Sequence, residues 1–280
     1  MNVRGPEKRG MSDGSAGPWR MGRYRTGVDL ALNDTAAIVC GASSGIGLAV
    51  SRTLAAEGCA VTIMARDAAR LEEAAAGVPG AMAVAGDVRD AEALERVVER
   101  TVAARGRLDI VVNNAGGPPA GSFESTAPEA WSDAFELSLH SAVRLTRIAL
   151  PHLKQSGRGR IVNIASWSVR EPIAGLVLSN AVRPGIVGLA KTLSHEFGRY
   201  GITVNTVAPG KIDTPRAREL AARHADPEAA QQRDLEAIPV GRIGTAEEVA
   251  AAVAFLCSTA AGYVSGCVLP VDGGALRGIW

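Results

Sequence analysis

The sequence predicts an α/β fold in which a mostly parallel, doubly wound sheet of seven strands carries helices on both faces. Three observations predict it. From Asp29 onward, short apolar runs alternate with amphipathic segments. A glycine-rich turn joins the first strand to the first helix, and Ala, Val and Gly dominate while aromatics make up only 4%. Small residues suit helices packed closely on a buried sheet, and strand–helix alternation implies right-handed crossovers in one open parallel sheet.

"AAIVCG" (36–41) is a short buried strand, and "GIGLAVSRTLAAEG" (45–58) follows it with Ile46, Ala49, Val50 and Leu54 at helical spacing. Strand "AVTIMAR" (60–66) leads to helix "DAARLEEAAAG", and strand "AMAVAGDV" (81–88) to helix "AEALERVVERTVAARG". A fourth strand, "LDIVVNNAG" (108–116), runs into a Gly/Pro-rich loop, and a long helical stretch spans about Pro128 to Lys154. "RIVNIAS" (160–166) is the fifth strand, followed by a loop and the helical "GIVGLAKTLSHEFG" (185–198). Strand "ITVNTVAPG" (202–210) precedes a polar helical segment over 214–236. "TAEEVAAAVAFLCS" opens with Thr245 and has Glu248 three residues on, a capping box, and "GCVLPVDGG" (266–274) is the last strand.

Composition narrows the function classes. A net charge of +1 with 21% charged residues excludes a globally basic nucleic-acid binder. No apolar run approaches the roughly 18–20 residues of a membrane span. The four cysteines (Cys40, Cys59, Cys257, Cys267) have neither CxxC nor metal spacing and read as reduced thiols of a cytoplasmic protein with no metal site. Residues 1–28 form a Gly-, Pro- and Arg-rich basic tail expected to be disordered, with the folded domain spanning 29–280. The tail is either a basic arm for a partner or a dispensable extension, since Met11 and Met21 both precede the fold.

The turn Gly41-Ala42-Ser43-Ser44-Gly45-Ile46-Gly47 follows a buried strand and opens a helix. There, glycines let the backbone approach a pyrophosphate, and the helix N-terminus offers unpaired N–H groups. With "NNAG" (113–116), "IVNIAS" (161–166), "GITVNTVAPG" (201–210) and "SGCVLPVDGG" (265–274) in order and spacing, the sequence resembles the short-chain dehydrogenase/reductase family from about residue 29 onward. The resemblance implies a single Rossmann-like domain. Cys40 departs from the family's usual threonine beside the first glycine.

At the end of the second strand, Ala65 and Arg66 stand where a carboxylate would select NAD. Arg66 suits a 2′-phosphate, so the expected cofactor is NADP(H). The resemblance further implies that Asp87 and Val88 contact the adenine, that Asn114, Ala115 and Gly116 run beside the adenine ribose, and that Pro209, Gly210 and Ile212 lie near the nicotinamide.

The family's catalytic set is an asparagine, a serine and a Tyr-x-x-x-Lys pair. The serine is present as Ser166, but Ser179 stands at the tyrosine position, Arg183 at the lysine position and Ser138 at the asparagine position. A serine hydroxyl is far less acidic than phenol, whose pKa is about 10, and a guanidinium donates no proton near neutrality. Arg183 retains a cation able to hold ribose hydroxyls. Pro184 disfavours helical geometry at Arg183, so the helix should kink or begin later there. Tyr24, Tyr200 and Tyr263 lie at no matching spacing. His140 should point away from Ser138, and Glu171, beside Arg170 in the loop after Ser166, is a candidate acid or simply a solvated charge.

These features imply an oxidoreductase that reduces a carbonyl, or oxidises an alcohol, of a small molecule through an atypical proton relay. The alternatives are a non-redox isomerase, dehydratase or cyclase on the same fold, or a non-catalytic cofactor-binding subunit. The resemblance also implies a homo-oligomer, tetramer or dimer, joined through the two long helices and the C-terminal strand, with Trp280 as a possible anchor. No nucleic-acid or membrane partner is expected.

Overall fold

A computed structural model describes residues 29–222 and 227–279. The expected tail, Tyr24 and Trp280 therefore lie outside the described residues. Seven strands form one sheet: β1 (Ala36–Cys40), β2 (Ala60–Ala65), β3 (Met82–Ala85), β4 (Ile110–Asn113), β5 (Arg160–Ile164), β6 (Thr203–Pro209) and β7 (Val268–Val271). Their order is β3-β2-β1-β4-β5-β6-β7, and every pairing is parallel. The order reverses between β1 and β4, so a crevice opens at the carboxyl ends of these two strands.

The strands are apolar throughout because both sheet faces are covered. Along β1, Ala37 and Val39 join one core cluster while Ile38 and Cys40 join the other, following the two-residue alternation of a strand. The first cluster takes apolar residues from α1 (Gly45–Ala56), α2 (Ala68–Ala76) and α9 (Ala246–Cys257). The second takes them from α3 (Ala91–Arg105), α5 (Ser141–Ser156) and α6 (Val177–Phe197). The helix ends follow local chemistry: Asp67 and Asp90 cap α2 and α3, Gly106 and Gly157 close α3 and α5 in the left-handed region, and Thr245 with Glu248 completes the capping box of α9.

The amino edge of the sheet is tied by buried Asp109. Its carboxylate accepts from the Ala36 amide (2.8 Å), from Arg107 Nε and Nη2 (both 2.7 Å) and from Ser156 Oγ (2.5 Å). Burial alone would raise its pKa, but these hydrogen bonds outweigh burial and hold the carboxyl below its ordinary value.

Three expectations need correction. The helix carrying Ser179 and Arg183 does not begin later: α6 starts at Val177 and runs through Pro184. An interior proline costs about 3 kcal/mol, yet Leu178, Val182, Ile186 and Ala190 are buried along one stripe, and that packing holds the helix together. The long stretch from Pro128 is not one uniform helix but α4 (Pro128–Phe135), a π-turn (Glu136–His140) and α5. The polar segment over 214–236 contains two helices, α7 (Pro215–Ala221) and α8 (Pro227–Ala237).

Candidate active site

The glycine turn is a tight crossing of backbone. Gly41 has φ +59°, and a Cβ on Gly47 would lie 2.3 Å from the Gly41 carbonyl oxygen and 2.7 Å from Asn114 Nδ2. Asn114 Nδ2 donates to the carbonyls of Cys40 (3.1 Å) and Gly41 (3.3 Å), lashing the loop after β4 to the turn. Ser43, Ser44, Gly45 and Ile46 complete the turn and are all half-buried. Ser44 caps α1 by position but makes no side-chain capping bond, and the first turn holds no acidic residue. The helix therefore presents unpaired N–H groups and its positive dipole end to the crevice. Burial pushes the Cys40 thiol up to about 12, so it is an inert wall of the crevice.

Arg66 is exposed directly after β2. β3 ends at Ala85, so Asp87 and Val88 sit in the following loop rather than in the strand. Arg89 Nη2 (2.8 Å) and Nε (3.2 Å) grip the Asp87 carboxylate and hold its pKa below the ordinary value, and the field of Arg66 adds to the effect. Ala115 lines the central pocket with Val88 and Asn114, and exposed Gly116 follows in the loop. On the far side, buried Pro209 ends β6, and Gly210 packs on Asp272, where a Cβ would meet that residue's Cβ at 2.7 Å. Ile212, also buried, pairs with Gly244.

The four expected catalytic positions fall into two groups. Ser138 and Arg183 line the same pocket, at the carboxyl ends of β4 and β5 beneath α5 and α6. Ser138 is buried on the π-turn with a hydroxyl that has no partner. Arg183 is equally buried and donates from Nη1 to the carbonyls of Ala165 (2.5 Å) and Ile164 (3.5 Å). Desolvation lowers its pKa to about 10.

Ser166 and Ser179 belong to the second group, joined by a residue that the sequence reading did not single out. The Ser168 amide donates to Ser166 Oγ (3.2 Å), and Ser168 Oγ lies 3.2 Å from Ser179 Oγ. Ser168 and Ser179 are both buried. The Ser-x-Ser spacing was visible in sequence, but nothing local linked it to a residue eleven positions on. A clasp also escaped sequence reading: Gly121 of the β4 loop donates to the Gly175 carbonyl (2.7 Å), drawing the two loops beside the site together.

None of Tyr200, Tyr263, His140 and Glu171 lines the central pocket. Tyr200 is stacked under Lys154 and Arg199, and Tyr263 is fully exposed. His140 is exposed and paired with Glu136 at 2.7 Å, and Glu171 is an exposed loop residue. No group of metal-ligating side chains occurs among the described residues, and no helix there is long and apolar enough to cross a membrane.

Comparison with known proteins matches this architecture. A family profile described as enoyl-(acyl carrier protein) reductase matches residues 41–275. The chain is 37% identical over 242 residues to an L-fucose dehydrogenase of Bos taurus, covering 86% of this chain and 89% of that one. It is 38% identical over 250 residues to a 3-oxoacyl-(acyl-carrier-protein) reductase of Pseudomonas aeruginosa, covering 88% and 98%. Among solved structures, an L-sorbose reductase of Gluconobacter frateurii, complexed with NADPH and L-sorbose, superposes with a TM-score of 0.84 at 34% identity, covering 90% of this chain and 100% of that one. A reductase profile over most of the chain, relatives matched along nearly their whole length and a glycine crossing at the sheet's reversal point all agree: this chain is an oxidoreductase of the short-chain dehydrogenase/reductase family.

Proposed function

We propose that the chain is an NADP(H)-dependent oxidoreductase that reduces the carbonyl, or oxidises the alcohol, of a small molecule with a proton relay lacking the usual tyrosine. The observation that carries this reading is the uncapped, acid-free N-terminus of α1 behind the Gly41–Gly47 crossing, with Arg66 exposed at the end of β2. A pyrophosphate fits the free N–H groups, and a 2′-phosphate fits a guanidinium with no carboxylate directly before it. When bound, the dinucleotide supplies or accepts the hydride. Residues 41–47 would hold its pyrophosphate and Arg66 its 2′-phosphate. Asp87 and Val88 would flank the adenine, Asn114 to Gly116 the adenine ribose, and Pro209, Gly210 and Ile212 the nicotinamide.

The chain's own chemistry rests on hydroxyls and one cation. Ser166 accepts from the Ser168 amide, which leaves its own hydrogen free for the substrate oxygen. Ser179 shares a hydrogen bond with Ser168 and passes a proton on rather than generating one, because its hydroxyl is too weak an acid. Arg183 places a fixed positive charge where negative charge grows on the reacting oxygen. Net protons therefore enter from water.

The test is transfer of deuterium from C4-labelled NADPH to product, using L-fucose, L-sorbose and a 3-oxoacyl thioester as the first panel, beside fluorescence titration with NADPH and NADH. Labelled product is expected. Absence of any dinucleotide binding refutes the reading, and tight binding with unlabelled turnover assigns the fold to isomerase-, dehydratase- or cyclase-type chemistry. Exposed Phe255, Tyr263 and Ile279 near the C-terminal strand support a homo-oligomeric assembly, dimer or tetramer, which light scattering measures directly. Four free cysteines fit a reducing, cytoplasmic setting.

A further inference from the structure

Between Ser168 and Ser179 the chain leaves the site and returns to it, and the hydroxyl contact at 3.2 Å closes the base of the loop so formed. Asn180, the next residue on α6, holds the middle of that loop. Its Oδ1 accepts from the Ile173 amide (3.0 Å), and its Nδ2 donates to the Ile173 carbonyl (2.8 Å). A side-chain amide carries both a donor and an acceptor, so one asparagine satisfies both backbone groups of one loop residue. The Asn180 amide also donates to the Leu176 carbonyl (2.9 Å), and the Leu176 amide to the Ile173 carbonyl (3.2 Å), which closes residues 173–180 into a compact knot.

The knot carries a second loop with it. Gly121 donates to the Gly175 carbonyl (2.7 Å) and accepts from the Val177 amide (3.3 Å), a short parallel bridge opposite Leu176. The loop that holds Gly121 comes from the central pocket: Ala115 lines it, and a Cβ on Gly117 would lie 3.7 Å from Arg183 Nη2. The two bridged loops therefore reach from the β4 side of the pocket to the hydroxyls of Ser166, Ser168 and Ser179. Behind them, buried Leu178, Val182 and Ala134 form a small apolar cluster with half-buried Trp131 and Val177, separate from the two clusters that cover the sheet. A unit mounted on its own cluster can loosen while the sheet stays folded.

We propose that Asn180 is a positioning residue. By pinning Ile173 it holds residues 170–177 and, through the Gly121 bridge, residues 117–122 as one wall against which the substrate is placed, and so sets which substrates fit. The role of the wall rests on the oxidoreductase reading, with Ser166 and Ser179 at the reacting oxygen; the clasp itself does not. Ser166, Ser168 and Ser179 keep their own hydrogen bonds when the Asn180 amide is removed. Substrate binding therefore suffers more than the chemical step.

Hydrogen–deuterium exchange of the full chain, with Asn180→Ala and Gly175→Ala beside it, tests the clasp without a substrate. Asn180→Ala removes both side-chain bonds to Ile173, so the Ile173 amide should exchange on the order of tenfold faster, and the Gly121 and Val177 amides should quicken with it. Gly175→Ala reaches the same bridge by another route: its Cβ meets nothing within 4 Å, and the strain is confined to a left-handed backbone at φ +74°. It should release the Gly121 amide too, and the Val112 amide in β4 should be unchanged in both variants. Faster exchange at Ile173 alone overturns the proposal, because the loops then move independently. An equal rise at Val112 also overturns it, because Asn180 then serves only global stability. Kinetics with NADPH on the same substrate panel separate binding from chemistry. Both variants should raise KM on the order of tenfold with kcat within about threefold, leave NADPH affinity unchanged and narrow the discrimination between the two best substrates. A fall in kcat at unchanged KM refutes the positioning role. If the unmodified protein turns over no panel substrate, the failure is that of the oxidoreductase reading, and joint release of Ile173 and Gly121 decides the clasp. If Asn180→Ala does not fold, Gly175→Ala carries both readouts.

Discussion

Gly47→Ala isolates the cofactor turn from the rest of the fold. The added methyl would sit 2.3 Å from the Gly41 carbonyl oxygen and 2.7 Å from Asn114 Nδ2, so backbone and amide must separate by about 1 Å to reach ordinary contact. Overpacking of this kind costs about 1–3 kcal/mol. The displaced Asn114 amide also loses bonds to the Cys40 and Gly41 carbonyls, each worth about 0.5–1.5 kcal/mol net. The total, about 2–6 kcal/mol, corresponds to a fall of roughly 3–10 °C in unfolding midpoint for a chain of this size. Gly45→Ala is the internal comparison. Its Cβ meets nothing closer than 3.4 Å, and the cost is only the left-handed backbone at φ +54°, about 1–2 kcal/mol. The assay is urea and thermal unfolding without cofactor, followed by NADPH titration of whatever remains folded. A Gly47→Ala protein within about 0.5 kcal/mol of the parent would show that the crossing is loose and would remove the steric reason for glycine at that position.

Arg66→Asp should weaken NADPH about tenfold or more and raise the preference for NADH; an unchanged affinity ratio by fluorescence would place Arg66 outside the phosphate site. Asp109→Ala removes the acceptor of Ala36, Arg107 and Ser156 at the sheet edge opposite the crevice. It should cost about 3–5 kcal/mol in urea unfolding with NADPH affinity unchanged, and coupled losses of both would contradict that separation. Glu248 is held down to about 2, first by the side-chain bonds from Arg242 and then by the Thr245 amide. A depressed carboxyl contributes stability that is complete above its ordinary pKa of 4.5 and is lost as pH falls toward 2. Glu248→Gln should therefore flatten the acid limb between about 4.5 and 2 in circular dichroism, and an identical limb would mean that the ion pair is inert.

Strand positions were legible because a sheet covered on both faces needs continuous apolar runs, and the seven runs stand out between helical spacings. Their ends were less so. The third run reads as 81–88, yet pairing with β2 stops at Ala85, since strand length depends on the partner and not on local propensity alone. Pro184 predicted a kink or a later helix start, and burial of Leu178, Val182 and Ile186 overrode the later start. The π-turn at Glu136–His140 left no local signature, because the extra residue it accommodates shows only in backbone bonding. At the site, Ser138 and Arg183 were found by position, but their shared pocket and unspent donors are facts of packing. Ser168 was missed because its role depends on contact with Ser179 across a loop.

The two halves of the site differ in what they ask of the sequence, and this bears on whether Ser138, Ser179 and Arg183 are remnants or working parts. The cofactor turn is made of backbone and glycine and costs the fold little. Segment 179–184 is expensive. Burial that lowers Arg183 from 12.5 to about 10 corresponds to a destabilisation on the order of 3 kcal/mol at neutral pH, and the adjacent interior proline adds about 3 kcal/mol more. Decay would more readily leave an apolar residue that packs against Ile164 and Ile186 at no electrostatic cost. A buried guanidinium whose Nε has no partner, in one pocket wall with an unpartnered hydroxyl, is a net cost to the fold rather than a source of its stability.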